Sequence, residues 1–237
     1  MRWPDATRCA AACLALAAAS ACAHDSWYAR DAAGGDLTIV TGTRYPKVDL
    51  VVPPESIADS RCTSAGASRS CWAEFRDFDI TLDDKLVDVY LREVNPPADI
   101  AARWRALRAH GVAWQERYRK FTRIEIAPPG ESAQRLAALR RPSGAGLEIV
   151  AAPDSPLRAG AVARFDVMSH GRPVEGLAVE LVSERSPLGI WRRSDERGEV
   201  RLPLPFGGAW LVRAVSIEAD GAERWRSRFA TFAFDAH

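Results

Sequence analysis

His24 is the residue whose type and position best support chemistry in this sequence. It follows Ala21-Cys22-Ala23, and a cut after Ala23 would make it the first residue of the processed chain. Its backbone amine and its imidazole would then form a two-nitrogen chelate, and groups of both kinds titrate close to neutral pH. Nitrogen ligands of this type suit nickel, cobalt or copper ions. The sequence therefore predicts a transition-metal site at His24.

Two further residues are weaker candidates for this metal site. Asp25 would add an oxygen ligand or orient the His24 ring. His110 falls on a predicted helix beside Trp104 and Trp114, where a partly buried, hydrogen-bonded histidine is the commoner finding. No two histidines have ligand spacing, so the fold or a partner would have to complete the site. The competing interpretation is that cleavage merely exposes a histidine.

The first 23 residues have the order of a secretory signal peptide. Arg2 and Arg8 precede a short Ala/Leu-rich run, and small residues precede the cut. A cut before Cys22, which would leave a lipid-anchored protein, is the alternative. No later stretch approaches the roughly 20 apolar residues of a transmembrane helix. We expect a periplasmic or secreted protein without a transmembrane span.

Composition and missing motifs exclude several function classes. The chain has 32 basic and 31 acidic residues, and Arg2, Arg8 and Asp5 would leave with the signal, so the remainder is neutral. Nucleic acid is therefore not an expected partner. No Gly-x-Ser-x-Gly elbow, phosphate loop or dinucleotide fingerprint occurs. We expect a protein that is not an enzyme.

Cys62 and Cys71 are the two cysteines that remain after the signal. A Gly/Ser-containing segment separates them, and in an oxidising compartment such a pair usually closes a disulfide between two strands. Free thiols or a metal pair are the alternatives. We assign this pair a structural role.

Hydrophobic periodicity predicts a mainly β protein of two β-sandwich-like modules. The N-terminal β-rich domain would span residues 24–139, with strands at 37–42, 48–52, 86–91 and 121–126 and a helical insertion at about 98–121. Residues 140–146, rich in Gly and Pro, are the predicted linker. Regularly spaced strands then predict a sandwich domain over 147–237.

Trp191 is a candidate contact residue on this second module. It follows the turn-like Ser186-Pro187-Leu188-Gly189 and could project outward to a protein or a sugar. Tryptophan on a strand is more often part of a core.

The sequence also resembles a family of exported proteins, the domain of unknown function 4198 family, labelled nickel uptake substrate-specific. The resemblance covers most of the chain after residue 23. It is carried by the following motifs: His24-Asp25-Ser26-Trp27, Gly42-Thr43-Arg44-Tyr45-Pro46, Gly171-Arg172-Pro173-Val174-Glu175-Gly176 and Trp210-Leu211-Val212-Arg213-Ala214-Val215. Where many members have a histidine after the last of these, this chain has Ser216, which weakens the transfer of a metal site to that strand.

The resemblance implies a transthyretin-like or immunoglobulin-like sandwich and an association with nickel or cobalt uptake. The sequence thus predicts an exported accessory or binding protein that handles a transition metal for a membrane transporter or another envelope protein. The alternative is a metal-independent envelope module that binds protein or carbohydrate through Trp191.

Overall fold

The computed structural model describes residues 24–30 and 36–237, and the predicted signal peptide lies outside this part of the chain. The N-terminal elements are strands and three helices. They are, in order, β1 Asp25–Arg30, β2 Leu37–Gly42, β3 Leu50–Val51, a 3₁₀ turn Pro54–Ser56, β4 Ile57–Ala65, β5 Ser68–Phe75, β6 Phe78–Leu82, α1 Asp84–Val94, α2 Ala98–Ala109, β7 Trp114–Ile126 and α3 Ala133–Leu139.

The remainder of the described chain is made of strands. They are β8 Glu148–Ala151, β9 Val162–Ser169, β10 Arg172–Pro173, β11 Ala178–Ser183, β12 Ser186–Arg193, β13 Glu199–Pro203, β14 Gly208–Asp220 and β15 Arg224–Ala236. The mainly β prediction is confirmed, and β2 has the predicted bounds. The strand predicted at 48–52 is reduced to two residues.

An eight-stranded sheet is the centre of the described structure. Its order is β12-β11-β14-β15-β7-β5-β4, with β6 also paired to β7. The β7 and β15 strands pair in parallel, and the other neighbours are antiparallel. Since β7 precedes the predicted linker and β15 follows it, both halves of the chain contribute to one sheet.

Side chains alternate between the two faces of this sheet because successive strand residues point to opposite sides. One face packs on the four-stranded sheet of β8, β9, β10 and β13, around Phe121, Phe165 and Phe232. The opposite face carries two further layers. Helices α1 and α2 cover one end around Trp114 and Trp225, and the β1-β2-β3 sheet covers the other end around Trp27.

The prediction of a strand at 86–91 is wrong. Residues 84–94 form α1, whose N-terminus is capped by the Asp83 carboxylate accepting from Leu86 N. Val87, Tyr90 and Val94 lie on its buried side, so helical spacing on one face outweighs the β-branched composition.

The helical insertion at about 98–121 is correct only in its first part. Helix α2 ends at Ala109, and Gly111 follows with a φ of 75°, in the left-handed region that glycine adopts readily. From Trp114 the chain is strand β7, in which Trp114, Glu116, Tyr118 and Lys120 alternate inward. The insertion is therefore a pair of helices over 84–109.

The predicted disulfide joins Cys62 to Cys71 across the β4-β5 hairpin. Segment 140–146 also makes specific contacts. Arg140 is buried and forms an ion pair with Glu125 at 2.7 Å, and the Glu148 carboxylate accepts from Ser143 N and Gly144 N. The division into domains 24–139 and 147–237 stays a prediction.

Candidate metal centre

The His24 ring contacts a hydroxyl that fixes the tautomer of its neutral form. Nε2 of His24 lies 3.1 Å from Thr43 Oγ1, and Thr43 Oγ1 donates its one proton to Asp49 Oδ2 at 2.8 Å. The hydroxyl can therefore only accept from His24, so Nε2 carries the ring proton in the neutral imidazole. Nδ1 is buried, without a hydrogen-bond partner among the described residues. Its lone pair is left available.

Asp49 keeps a negative charge beside this ring. Its carboxylate accepts from the backbone N–H of Thr43 at 2.8 Å as well as from the Thr43 hydroxyl. These two hydrogen bonds, with smaller contributions from His24 and Lys47, hold the Asp49 pKa below its ordinary value. Asp49 Oδ2 lies 3.4 Å from His24 Nε2. A carboxylate on the outer side of a histidine ring is the usual arrangement around metal-binding histidines.

A tight loop brings Thr43 and Asp49 to His24. Residues Arg44 and Lys47 bridge across the turn, with Lys47 N donating to Arg44 O, and the Tyr45-Pro46 peptide bond is cis. Gly42 is required at the start of the loop. A Cβ at Gly42 would lie 2.1 Å from Lys47 O and 2.8 Å from the Trp27 ring, so a larger residue would push the loop away.

The backbone of strand β1 is fixed from the central sheet. Lys120 on β7 is buried, and its Nζ donates to His24 O at 2.7 Å. Thr231 on β15 donates to Ser26 O, and Thr41 on β2 donates to Asp25 O at 2.8 Å. The position of the His24 backbone is thus set by strands that come from both halves of the chain.

The structure places Asp25 away from the His24 ring, in an ion-pair cluster. Its Oδ2 accepts from Arg213 Nη1 at 2.8 Å, and Arg213 also bonds Glu180. Burial disfavours the charge on Arg213, but the two carboxylates outweigh it and raise the Arg213 pKa. Asp25 therefore anchors β1, and the carboxylate beside His24 comes from Asp49.

Trp191 lies closer to this region than sequence reasoning indicates. It pairs across strands with Glu180 and is half-buried. Asp25, Arg213, Glu93 and Trp191 line one narrow cleft between β1, α1 and the central sheet. Two predicted site residues, Asp25 and Trp191, thus share a cleft. Trp191 is predicted to project outward, and in the structure only part of its side chain is exposed.

His110 takes no part in the arrangement around His24. It caps the C-terminus of α2 and is exposed, so the expected partial burial is not observed. Within residues 24–30 and 36–237, no group of three or more His, Cys, Asp or Glu side chains could hold a metal ion. Of these side-chain types, Asp49 is the one that contacts His24 among the described residues. A further metal ligand therefore has to be a main-chain atom or an external group.

Thr43 and Asp49 are the functional residues that sequence reasoning missed. They lie 19 and 25 positions after His24, with no local pattern that marks them as its partners. The one available signal is Gly42-Thr43-Arg44-Tyr45-Pro46, which the family resemblance singles out without assigning a role. The pairing arises because β1 and β2 are antiparallel, with Asp25 opposite Gly42.

This arrangement fits a metal ligand of mixed main-chain and side-chain type. A buried acceptor nitrogen without a partner is costly unless something binds it. Nδ1 is the ring nitrogen nearer to the backbone nitrogen of its own residue, so a free amine at His24 would form a chelate with it.

The described part of the chain contains no helix with the length and apolar character to span a membrane.

Comparison with known proteins identifies one family. A family model described as Domain of unknown function (DUF4198) matches residues 71–218. The matched segment runs from the disulfide hairpin to the end of β14 and starts after His24, Thr43 and Asp49. No curated protein and no solved structure matches the chain significantly.

Proposed function

The chain belongs to the DUF4198 family, and on that premise we propose that it is an exported accessory or binding protein that holds a transition-metal ion through His24. The metal would be cargo, either nickel, cobalt or copper, presented to a membrane transporter or another envelope partner. No catalytic role is proposed.

The unpartnered Nδ1 of His24 is the observation that carries this proposal. Thr43 and Asp49 occupy the opposite nitrogen and fix the tautomer, while Nδ1 has no partner in the described structure. A histidine with a purely structural role would be expected to use both of its ring nitrogens. Cleavage after Ala23 would supply the amine that completes a chelate with Nδ1.

The residues around His24 have separate tasks in this proposal. Thr43 and Asp49 orient the ring through hydrogen bonding. Lys120 and the Asp25–Arg213 pair hold the backbone of β1, so the chelating atoms are positioned before the ion arrives. Two nitrogens leave coordination positions open, which suits an ion that is to be passed on to a partner.

Calorimetric titration of correctly processed protein with nickel, cobalt and copper tests the proposal. We expect about one ion per chain, with release of protons because amine and imidazole ligands must be deprotonated. The His24→Ala variant should lose this binding. His110→Ala is the matched control, because it removes an exposed histidine elsewhere. Absence of uptake, or equal uptake by His24→Ala, would reject the proposal.

A metal-independent module that binds an envelope protein or carbohydrate through Trp191 is the alternative. The partly exposed surface of Trp191 on the edge strand β12 is the observation that favours it. A pull-down from envelope extract with wild type and Trp191→Ala, with and without a chelator, separates the two functions. Capture that needs Trp191 and persists after chelation would support the alternative.

A further inference from the structure

Four arginines form a two-by-two array on adjacent strands of the central sheet. Arg117 and Arg119 lie on β7, directly beside Arg226 and Arg228 on β15. On β7, Arg119 is adjacent to Lys120, whose Nζ donates to His24 O. Because adjacent strand residues point to opposite faces, the array lies on the face opposite the His24 site. Like charges placed directly across two strands are destabilising. Their concentration at one place therefore calls for a physical explanation.

The array forms one wall of a cavity of about 410 Å³. The opposite side is made by His170 and the Gly144–Gly146 segment, and Glu74 and Asp77 complete the polar lining. A Cβ at Gly146 would lie 2.8 Å from the Phe121 ring and 3.5 Å from the Arg228 side chain, so glycine lets this segment pack closely against both side chains. The volume falls in the range of small-molecule sites.

Three of the four arginines are balanced by carboxylates that lie outside the cavity wall. Arg117 pairs with Asp79 at 3.0 Å, Arg226 with Asp220 at 3.1 Å and Arg228 with Glu218 at 2.9 Å. Ion pairs with this much solvent contact contribute little to stability. An entering anion could therefore share these guanidinium groups at small cost.

The interior of the cavity is more positive than negative. Four guanidinium groups face two carboxylates, of which Asp77 bonds Arg119 at 2.6 Å and Glu74 also bonds Arg119. The hydrogen bond from Arg119, together with the charges of Arg119, Arg117 and Arg226, holds the Asp77 pKa below its ordinary value despite partial burial. Among the side chains that line the cavity itself, positive groups thus outnumber negative ones, and the other three carboxylates bind their arginines from outside it.

We propose that this cavity binds a small anion that carries two or more carboxylate or phosphate groups. Guanidinium groups bind both kinds of oxyanion in a bidentate manner. Two neighbouring rows of arginine can contact two such groups of one ligand at once. His170, on the opposite side, offers a further ring nitrogen to the ligand. The site is separate from His24 and does not depend on metal binding there.

Calorimetric titration with citrate and with inorganic pyrophosphate, at constant ionic strength, tests this site. The His24→Ala protein is used, so that citrate cannot act through a metal at His24. We expect saturable binding of one ligand per chain. Binding of citrate alone would indicate a polycarboxylate ligand, and binding of pyrophosphate would indicate a ligand that bears phosphate groups. If neither probe binds saturably at millimolar concentration, the proposal is overturned.

Variants then locate the site. Arg117→Gln and Arg226→Gln should each weaken binding at least tenfold. Arg201→Gln is the control, because Arg201 is an exposed arginine paired with Glu199 on β13, outside the cavity. Equal binding by Arg117→Gln, Arg226→Gln and Arg201→Gln would refute the assignment. If a β7 or β15 variant fails to melt cooperatively, His170→Ala replaces it. We expect His170→Ala to weaken binding at least threefold, and an unchanged affinity would count against the site.

Discussion

At the scale of single residues, one hydroxyl proton determines which nitrogen of His24 is available. The Thr43 hydroxyl donates a hydrogen bond to Asp49 and accepts one from His24 Nε2. This arrangement leaves Nδ1 as the unprotonated nitrogen of a neutral ring. Thr43 thereby selects the tautomer that allows a chelate with the backbone amine.

Replacing Thr43 with valine should weaken metal binding with little loss of fold. The valine has nearly the same shape but neither accepts from Nε2 nor donates to Asp49. Partners of this kind typically contribute about 10–100-fold to metal affinity, and we expect at least tenfold weaker nickel binding in a competition titration. Thr63→Val, an exposed position on β4, is the control. Equal affinities of the two variants would contradict the role given to Thr43.

Glu116 provides a pH-dependent test of the helical layer. It is buried, and its three donors, Tyr90, Trp114 and Ser227, are uncharged. Burial raises its pKa above the ordinary value of 4.5 despite these hydrogen bonds. The folded state then holds the Glu116 proton more tightly than the unfolded state. The contribution of Glu116 to stability is therefore greatest below about pH 4.5 and is lost as pH rises through the folded-state pKa.

We expect the free energy of unfolding of Glu116→Gln, relative to wild type, to increase as pH rises from 4.5, measured by urea denaturation at a series of pH values. Glu131→Gln is the control with the opposite sign, because a hydrogen bond from Ser68 lowers the Glu131 pKa. That variant should lose stability relative to wild type as pH rises through the interval below about 4.5, and the difference should stay nearly constant above it. Parallel curves for Glu116→Gln and wild type would show that Glu116 is not the buried charge described here.

At the scale of elements, an ion-pair cluster at the start of β1 adds to the apolar packing of Trp27 on the central sheet. The cluster joins Asp25 on β1 to Arg213 on β14, which also pairs with Glu180 on β11. Removing the cation from such a cluster leaves two carboxylates without compensation, which is strongly destabilising.

Arg213→Met should therefore destabilise the protein by about 3 kcal/mol, measured by urea denaturation at pH 7. The triple variant Asp25→Asn/Glu180→Gln/Arg213→Met should recover part of this loss, because no uncompensated charge remains. Hydrogen exchange at the Ser26 and Trp27 amides should be faster in Arg213→Met. If the triple variant is less stable than the single one, charge compensation is not what holds β1.

Most strands and helix α2 could be predicted from the sequence, whereas helix α1 and the first part of strand β7 could not. Strands such as β2, β9 and β15 alternate cleanly over their length. In 86–91 the residues Leu86, Val87, Val89 and Tyr90 have high β propensity, and only the partners of α1 in the fold show that Val87, Tyr90 and Val94 form its buried side. The change from helix α2 to strand β7 depends on Gly111, whose effect on the chain direction is tertiary.

The candidate metal centre could be predicted only in part. His24 was identified because its chemistry depends on its place after the expected cut, which is visible in the sequence. The sequence places Asp25 beside the His24 ring, whereas the structure pairs it with Arg213, since adjacent residues of an extended chain point to opposite faces. Thr43 and Asp49 could not be found, because a hairpin and a cis-proline loop deliver them from a distance.

At the scale of the whole molecule, the central sheet joins the two predicted domains. Residues 224–234 of β15 pair with residues 115–125 of β7. The four arginines of the proposed anion site are on these two strands, and so are Lys120 and Thr231, which fix the backbone of β1. Both proposed sites therefore depend on this pairing, one on each face of the sheet.

We expect a fragment of residues 147–237 not to fold stably by itself, because it exposes the long β15 edge that β7 covers. Unpaired edges of this kind favour association. The measurement is denaturation followed by circular dichroism, together with size-exclusion chromatography, with residues 24–237 as the control. A monomeric fragment with its own cooperative transition would instead support two independently folding domains.

The central claim is that His24 binds metal through its backbone amine and Nδ1 together. The most direct test is to compare nickel affinity at pH 7 for protein that begins at His24 and for the same protein with one methionine placed before it. The two proteins differ only by the added methionine, which moves the free backbone amine away from His24. We predict at least tenfold weaker binding by the extended protein, and equal affinity of the two proteins would contradict the claim.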